Sequence, residues 1–342
     1  MTVDVAFGSD NHSCVHPKIF QALNSCNSGY ATAYGEDEYT QHVCNLFKKE
    51  FGTNSESYLM FTGTAANILG LKAVTQSFQL IFCADTAHLH VHECGGPEHY
   101  LGCKILAIPT INGKLTVDIV KNAIFGVDDP HIAQPRVISI TQPSEYGTLY
   151  TTKEINDLAM FAHEHNMVLH MDGARLANAA AALRTGFKEL TGDVGVDVLS
   201  FGGTKNGMLC GEAVVFFKPE NTKYFHFIRK QGMQLASKMR YLAVQFQAYF
   251  TDELWRQNAL QANTMAALLA QELKKIKEVR ITQKVQTNAV FVQIPPEIIK
   301  KLRQYYFFHV FDEKQSIARF MCSYTMTKQD INNFINTLHQ VL

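Results

Sequence analysis

Short runs of apolar, β-prone residues alternate, over the first two-thirds of the chain, with longer stretches whose apolar positions recur at helical spacing. Tyr58 to Phe61, Leu80 to Cys83, Arg136 to Ile140, Met167 to Met171, Val198 to Phe201 and Ala213 to Phe217 read as strands. Thr151-x-x-Glu154 opens Ile155 to His165 as a capping box, in which hydroxyl and carboxylate satisfy backbone amides that have no helical partner. Alternation of this kind builds a mostly parallel sheet between helical layers, because each parallel connection must cross one face of the sheet. Ligands in such sheets bind beyond the carboxyl ends of the strands, so a residue just after a strand carries extra weight.

The pattern changes after about Pro219. Helical spacing runs from Tyr224 through Lys275 as one or two helices. Strands at Thr287 to Ile294, Phe307 to Phe311 and Ile317 to Tyr324 follow, with helices at Glu297 to Gln304 and Lys328 to Leu342, the latter capped by Thr327-x-x-Asp330. The expected organisation is a large α/β domain over 1–250 and a smaller C-terminal α+β domain over 251–342.

Composition narrows the function classes. At 342 residues and 46% hydrophobic, the chain has ample material for a core and the length of two domains. Its 31 basic and 31 acidic residues cancel, leaving no global field to draw nucleic acid or an anionic membrane. No run approaches the roughly 18 apolar residues that span a bilayer, and the opening residues lack the basic start and apolar run of a secretion signal. Eight cysteines are scattered singly with no C-x-x-C pair, which predicts buried, reduced thiols. The expectation is a soluble cytoplasmic protein with neither nucleic-acid nor membrane partners.

Two strand ends carry the richest chemistry. Met167 to Met171 delivers Asp172, followed by Gly173-Ala174-Arg175, and Val198 to Phe201 runs into Gly202-Gly203-Thr204-Lys205-Asn206-Gly207. Small neighbours let a bulky group approach the lysine, whose amine can bond covalently to a carbonyl once it has lost its proton. An acid at a neighbouring strand end keeps a pyridine nitrogen protonated, so that the ring can accept electrons. Taken singly, a solvated loop lysine and a helix-capping aspartate are the simpler readings; taken together, the pair favours the cofactor. The loop lacks the G-x-x-x-x-G-K-[ST] spacing, and no G-x-G-x-x-G follows the first strand, so nucleotide readings lose their support.

Two further segments bear on the site. Thr62-Gly63-Thr64-Ala65-Ala66-Asn67 leads from a strand into an apolar helix, presenting amides and hydroxyls to an anion as an ordinary capped turn also would. His88, His90 and His92 would share one face of a strand, as zinc ligands could; a loop entering a helix, with one histidine stacking on a flat ring, is the favoured alternative.

Ser9-Asp10, Tyr34-Gly-Glu-Asp37, Thr62-Gly-Thr64, His88 with Glu93 and Gly95-Gly96, His170-Met-Asp-Gly-Ala-Arg175 and Ser200 to Lys205 occur in this order. Together they resemble the low-specificity threonine aldolases of the β-eliminating lyase family, pyridoxal 5'-phosphate (PLP) enzymes of the aspartate-aminotransferase fold (fold type I). The resemblance is dense from Phe7 to Phe216 and thin beyond.

That resemblance implies a lyase that cleaves threonine or allo-threonine to glycine and an aldehyde. Lys205 would hold PLP as an imine, Asp172 would pair with the pyridine nitrogen, and His88 would stack on the ring and act as candidate base. Gly63, Thr64 and Thr204 would surround the phosphate, with Arg175 and Lys238 also in contact with the cofactor. Ser9, Arg175 and Arg319 would bind the substrate carboxylate. A homodimer or homotetramer with its active site at a subunit interface would let Tyr34, Lys238 and Arg240 reach across. Many relatives carry Glu-Asn-Thr-His where this chain reads Thr141-Gln-Pro-Ser-Glu-Tyr146, so one histidine expected at the substrate is missing. The competing readings are another fold type I enzyme (an aminotransferase or a different β-eliminating lyase), a zinc protein using His88, His90 and His92, and a catalytically silent scaffold.

Overall fold

A computed structural model describes residues 5–342; the first four residues of the expected large domain lie outside it. Seven strands form the main sheet: β1 (Glu56–Met60), β2 (Gln79–Ala84), β3 (Lys104–Ile108), β4 (Gln134–Thr141), β5 (Val168–Gly173), β6 (Val198–Gly202) and β7 (Glu212–Phe216). Their order is β1-β7-β6-β5-β4-β2-β3. Neighbours from β3 to β6 are parallel, and β7 runs against both β6 and β1. This is the mostly parallel sheet that the strand–helix alternation predicts. Strand β3 escaped the sequence reading because it is a half-exposed edge strand that opens on a charged residue.

Alternate residues of each strand feed opposite cores, as a two-residue side-chain period requires. Val168, Val198 and Val214 pack on one face, beneath the almost wholly apolar helix Gly63–Lys72; Leu169, Leu199 and Val215 pack on the other. The second face carries an aromatic cluster centred on Phe201, whose ring lies 5.0 Å from Phe187, 5.1 Å from Phe51 and 6.0 Å from Phe47. Phe201 immediately precedes the glycine–lysine loop, so this packing fixes where the loop begins.

The stretch expected as one or two helices is three: Phe225–Gln231, Arg240–Phe250 and Leu254–Leu273. The last two are divided at Asp252 and Glu253, both with φ of 51°. Neither glycine nor proline marks that break, which is why the periodicity runs through it. Helix Leu254–Leu273 belongs to two cores: Leu254, Trp255 and Ala259 pack into the main one, whereas Met265, Ala266 and Leu269 pack into a second. That second core lies on an antiparallel sheet of β8 (Arg280–Ile281), β9 (Ala289–Gln293), β10 (His309–Asp312) and β11 (Ile317–Met321). Phe7 joins it from the other end of the chain: its N–H donates to Phe307 at 2.9 Å, and Met321 N–H donates to its carbonyl at 2.8 Å. The thiols are all free, as expected, but Cys14 and Cys94 are exposed rather than buried.

Removing the Phe201 ring would leave a cavity where several aromatic rings converge. Phe201→Ala should lower the free energy of urea unfolding by about 3–5 kcal/mol, the usual loss for a buried Phe; a loss under 1 kcal/mol would show that the cluster does not anchor β6.

Candidate active site

The carboxyl ends of β5 and β6, the start of β7 and the N-terminus of helix Gly63–Lys72 meet around a cavity of about 340 Å³. Gly63, Thr64, His88, Asp172, Arg175, Thr204 and Lys205, seven of the positions singled out from the sequence, line it. Asp172 occupies the penultimate position of β5, opposite Thr141 of β4 and Ser200 of β6. Lys205 stands one strand over, on the short turn Thr204–Asn206.

That turn is clamped from several sides. Asn206 Nδ2 donates to Tyr249 Oη and to the Trp255 carbonyl, both at 2.8 Å. Asn258 Nδ2 donates to the Asn206 carbonyl at 2.9 Å, and Gly203 N–H donates to Gly211 at 2.9 Å. Gly207 has φ of +104°, so glycine is required where the chain turns away. Gly202 is required by space: a Cβ there would sit 2.7 Å from Glu212 Oε2 and 2.9 Å from Ala174 Cα.

Asp172 is 5% exposed. Its Oδ1 accepts from Ala174 N–H at 3.0 Å and its Oδ2 from Asn67 Nδ2 at 2.9 Å. Burial alone would push its pKa up; the charges of Lys205 and then His88, with those two N–H donors, bring it below the ordinary carboxylate value. Asn67 Nδ2 also donates to Glu93 Oε1 at 2.9 Å, and the same oxygen accepts from His88 Nδ1 at 2.9 Å. One amide thus separates two carboxylates that would otherwise repel. The Glu93 hydrogen bond raises the His88 pKa, against burial and with help from Asp172. Below Asp172, His170 lies fully buried between the hydroxyls of Ser139 and Ser200, at 2.9 and 3.1 Å. Burial pulls its pKa down to about 4, so it is a neutral strut.

The two arginines have different partners within the protein. Arg175 Nε and Nη2 grip Asp10 at 2.7 and 2.9 Å, and Asp10 also accepts from Asn288 Nδ2 at 3.1 Å. Arg319, on β11, donates from Nη2 to the Gly8 carbonyl at 3.1 Å, while its buried Nε has no partner among the described residues. Burial, and then the nearby charge of Arg175, lower its pKa; Glu145 and Asp10 oppose them. Ser9 caps the short turn that carries Asp10 and does not line the cavity, although Asn11 does.

Tyr34 and Lys238 stand apart from the cavity. Both are exposed, and Tyr34 N–H donates to the Ser237 carbonyl at 2.9 Å. Lys238 lines an adjoining groove with Phe20, Leu209 and Phe61, the last of which also lines the cavity. The strand geometry that would align His88, His90 and His92 is absent: His88–Val91 is a turn of helix, with His90 and His92 exposed. Among the described residues no group of three or more His, Cys, Asp or Glu side chains is placed to hold a metal ion. The zinc reading therefore fails on backbone geometry.

The sequence reading missed Asp10 as a partner of Arg175, Asn67 as a bridge, and Glu212. Glu212 opens β7 opposite Met60 and Gly202, lines the cavity beside Lys205, and burial raises its pKa to about 7. A lone glutamate opening an otherwise apolar strand was the available signal.

Among known proteins, the beta-eliminating lyase family model matches residues 6–295. A low specificity L-threonine aldolase of Pseudomonas aeruginosa is 38% identical over 98% of this chain and 97% of its own. One of Saccharomyces cerevisiae is 26% identical over 87% and 77%. In structure, a Leishmania major threonine aldolase superposes with a TM-score of 0.93 at 24% identity, covering 98% of this chain and 99% of that one. Aspartate aminotransferase from Thermus thermophilus, at 12% identity and a TM-score of 0.71 over 98% and 90%, shares the fold.

Because folding raises the His88 pKa, the Glu93 contact contributes fully to stability below the ordinary histidine value near 6.5 and fades as pH climbs through the raised one. An NMR titration should place the His88 pKa above 6.5 and show it falling in Glu93→Gln; an unchanged midpoint would remove Glu93 as its cause.

Proposed function

The chain belongs to the beta-eliminating lyase family, and from that membership we propose that its cavity binds pyridoxal 5'-phosphate at Lys205 and cleaves threonine or allo-threonine to glycine and an aldehyde. The observation that carries this reading is that Lys205 and a buried, ionised Asp172 share one cavity. The residues suit the group. Asp172 is an anion held by neutral N–H donors on the cavity wall, where it would face a ring N–H, and Lys205 would supply the covalent attachment. Gly63, Thr64 and Thr204 present a helix N-terminus and hydroxyls to a phosphate. Bound there, PLP supplies a sink for the electrons of the broken Cα–Cβ bond.

This chain's own residues have two tasks. The first is to hold the substrate carboxylate. Arg319 is the principal partner, through the Nε that finds none among the described residues; Arg175, oriented by Asp10, offers its remaining N–H groups, with Ser9 on the adjoining turn. The second is to take the β-hydroxyl proton. His88, which lines the cavity and would stack on the cofactor ring, would accept it in its neutral form, and Glu93 would stabilise the imidazolium that results. Cleavage then rises with pH through the raised His88 pKa.

A second copy of the chain covers the face of Phe20, Phe61 and Leu209, which are exposed here, and brings Tyr34, Lys238 and Arg240 towards the neighbouring cavity in a homodimer or homotetramer. Eight free thiols suit a reducing compartment, and we assign the protein to the cytoplasm on that ground. No helix among the described residues is long and apolar enough to cross a membrane.

Protein supplied with PLP should convert L-threonine to glycine and acetaldehyde; formation of neither product from L-threonine, L-allo-threonine or D-threonine would overturn the assignment. Lys205→Ala should stay folded and lose the visible absorbance of bound PLP. Asp172→Asn should bind PLP yet cleave about 10²–10³-fold more slowly, the scale of losing one preorganised electrostatic partner. Arg319→Lys should raise KM more than it lowers kcat, since a point charge cannot reproduce a two-pronged grip.

A further inference from the structure

Glu212 is a carboxyl where an anion is expected. It opens β7 between the ends of β1 and β6, so its side chain lies over the strand-end edge where ligands enter. It is 7% exposed, and its Oε2 stands 3.8 Å from the position a Cβ would take on Gly63, the first residue of helix Gly63–Lys72. Thr204, beside it, belongs to the same cradle. Resting on the cofactor reading above, this cradle receives a phosphate monoester, which carries about −1.5 to −2 charges near neutral pH. Two anions cannot share so buried a corner without a proton between them.

We infer that Glu212 enters the holoenzyme in its neutral form and donates its O–H to the cofactor's phosphate, so that PLP binding takes up a proton at this carboxyl. The free protein is poised for this. Among the described residues, the charged groups acting on Glu212 are Lys205, on the loop after β6, and Asp172, at the end of β5; Tyr249 of helix Arg240–Phe250 also faces it, as a neutral phenol whose pKa burial raises. Met60 of β1, and Thr62, Gly63 and Thr64 at the helix N-terminus, bring no charge. Burial outweighs Lys205 and the Thr204 donors and holds the carboxyl near pH 7, where little free energy is needed to protonate it. Below that pH the proton is already present; above it, each unit of pH weakens binding.

The experiment measures the PLP dissociation constant from pH 6 to pH 9 for wild type and Glu212→Gln, whose amide keeps a donor but cannot ionise. The wild-type constant should rise about tenfold per pH unit above pH 7 relative to the variant, reaching roughly 100-fold at pH 9. Pyridoxal, which lacks the phosphate, should bind both proteins with parallel pH profiles. In wild type alone at pH 8, PLP should take up about one more proton than pyridoxal, read by calorimetry in two buffers, which tests the proposal without any variant. Parallel PLP profiles, weaker binding by Glu212→Gln at every pH, or the same divergence with pyridoxal would each overturn it. Failure of wild type to bind PLP at any pH would overturn the cofactor reading, and this inference with it.

Discussion

Taking an ionised carboxylate out of water costs several kcal/mol unless charges and donors around it compensate, and Asp172 is nearly inaccessible to solvent. Its negative charge persists because Lys205 and His88 face it and two N–H groups point at its oxygens. The rest of the cavity follows from that constraint. Asn67 must be an amide, since it alone donates from one nitrogen to both Asp172 and Glu93. His88 must keep its Glu93 partner if its charge is to support Asp172. The strand below must be rigid, and the Ser139–His170–Ser200 chain gives it neutral, fully buried support.

The same economy of charge governs the surroundings of Arg175, on the cavity wall. Two guanidinium groups approach one another, and Asp10 is spent on Arg175. A cation left with an unpartnered donor beside a second cation is a place where the protein has stored affinity for an anion. Across the cavity the imbalance is reversed, with Glu212 buried beside Asp172 and relieved first by the Thr204 hydroxyl and then by Lys205. A carboxylate would meet complementary charge beside the arginines, whereas an anion beside Glu212 would require that carboxyl to be protonated.

Two pieces of chain far apart in sequence make this arrangement possible. Residues around Phe7 pack on the C-terminal sheet and then turn so that Asp10 reaches Arg175, while Arg319 reaches back from that same sheet. Helix Leu254–Leu273, shared by both cores, holds the two sheets in one relation and braces Asn206 beside Lys205. Arg319 and Arg175 are thus brought together by hydrophobic packing rather than by any local signal.

Local patterning was enough to read the parallel sheet, the capping boxes at Thr151 and Thr327, and the strand ends that present Asp172 and Lys205, because side-chain period, capping and strand propensity act between residues a few positions apart. The order of motifs likewise pointed to Gly63, Thr64 and Thr204, which line the cavity. It could not reveal the break at Asp252 and Glu253, the helical turn that disperses the three histidines, or edge strand β3. Nor could it show that Asp10 occupies Arg175, that Asn67 bridges two acids, or that Glu212 shares the pocket. Those facts depend on which groups lose their water together, and desolvation is a property of the closed tertiary structure that no stretch of chain possesses before it folds.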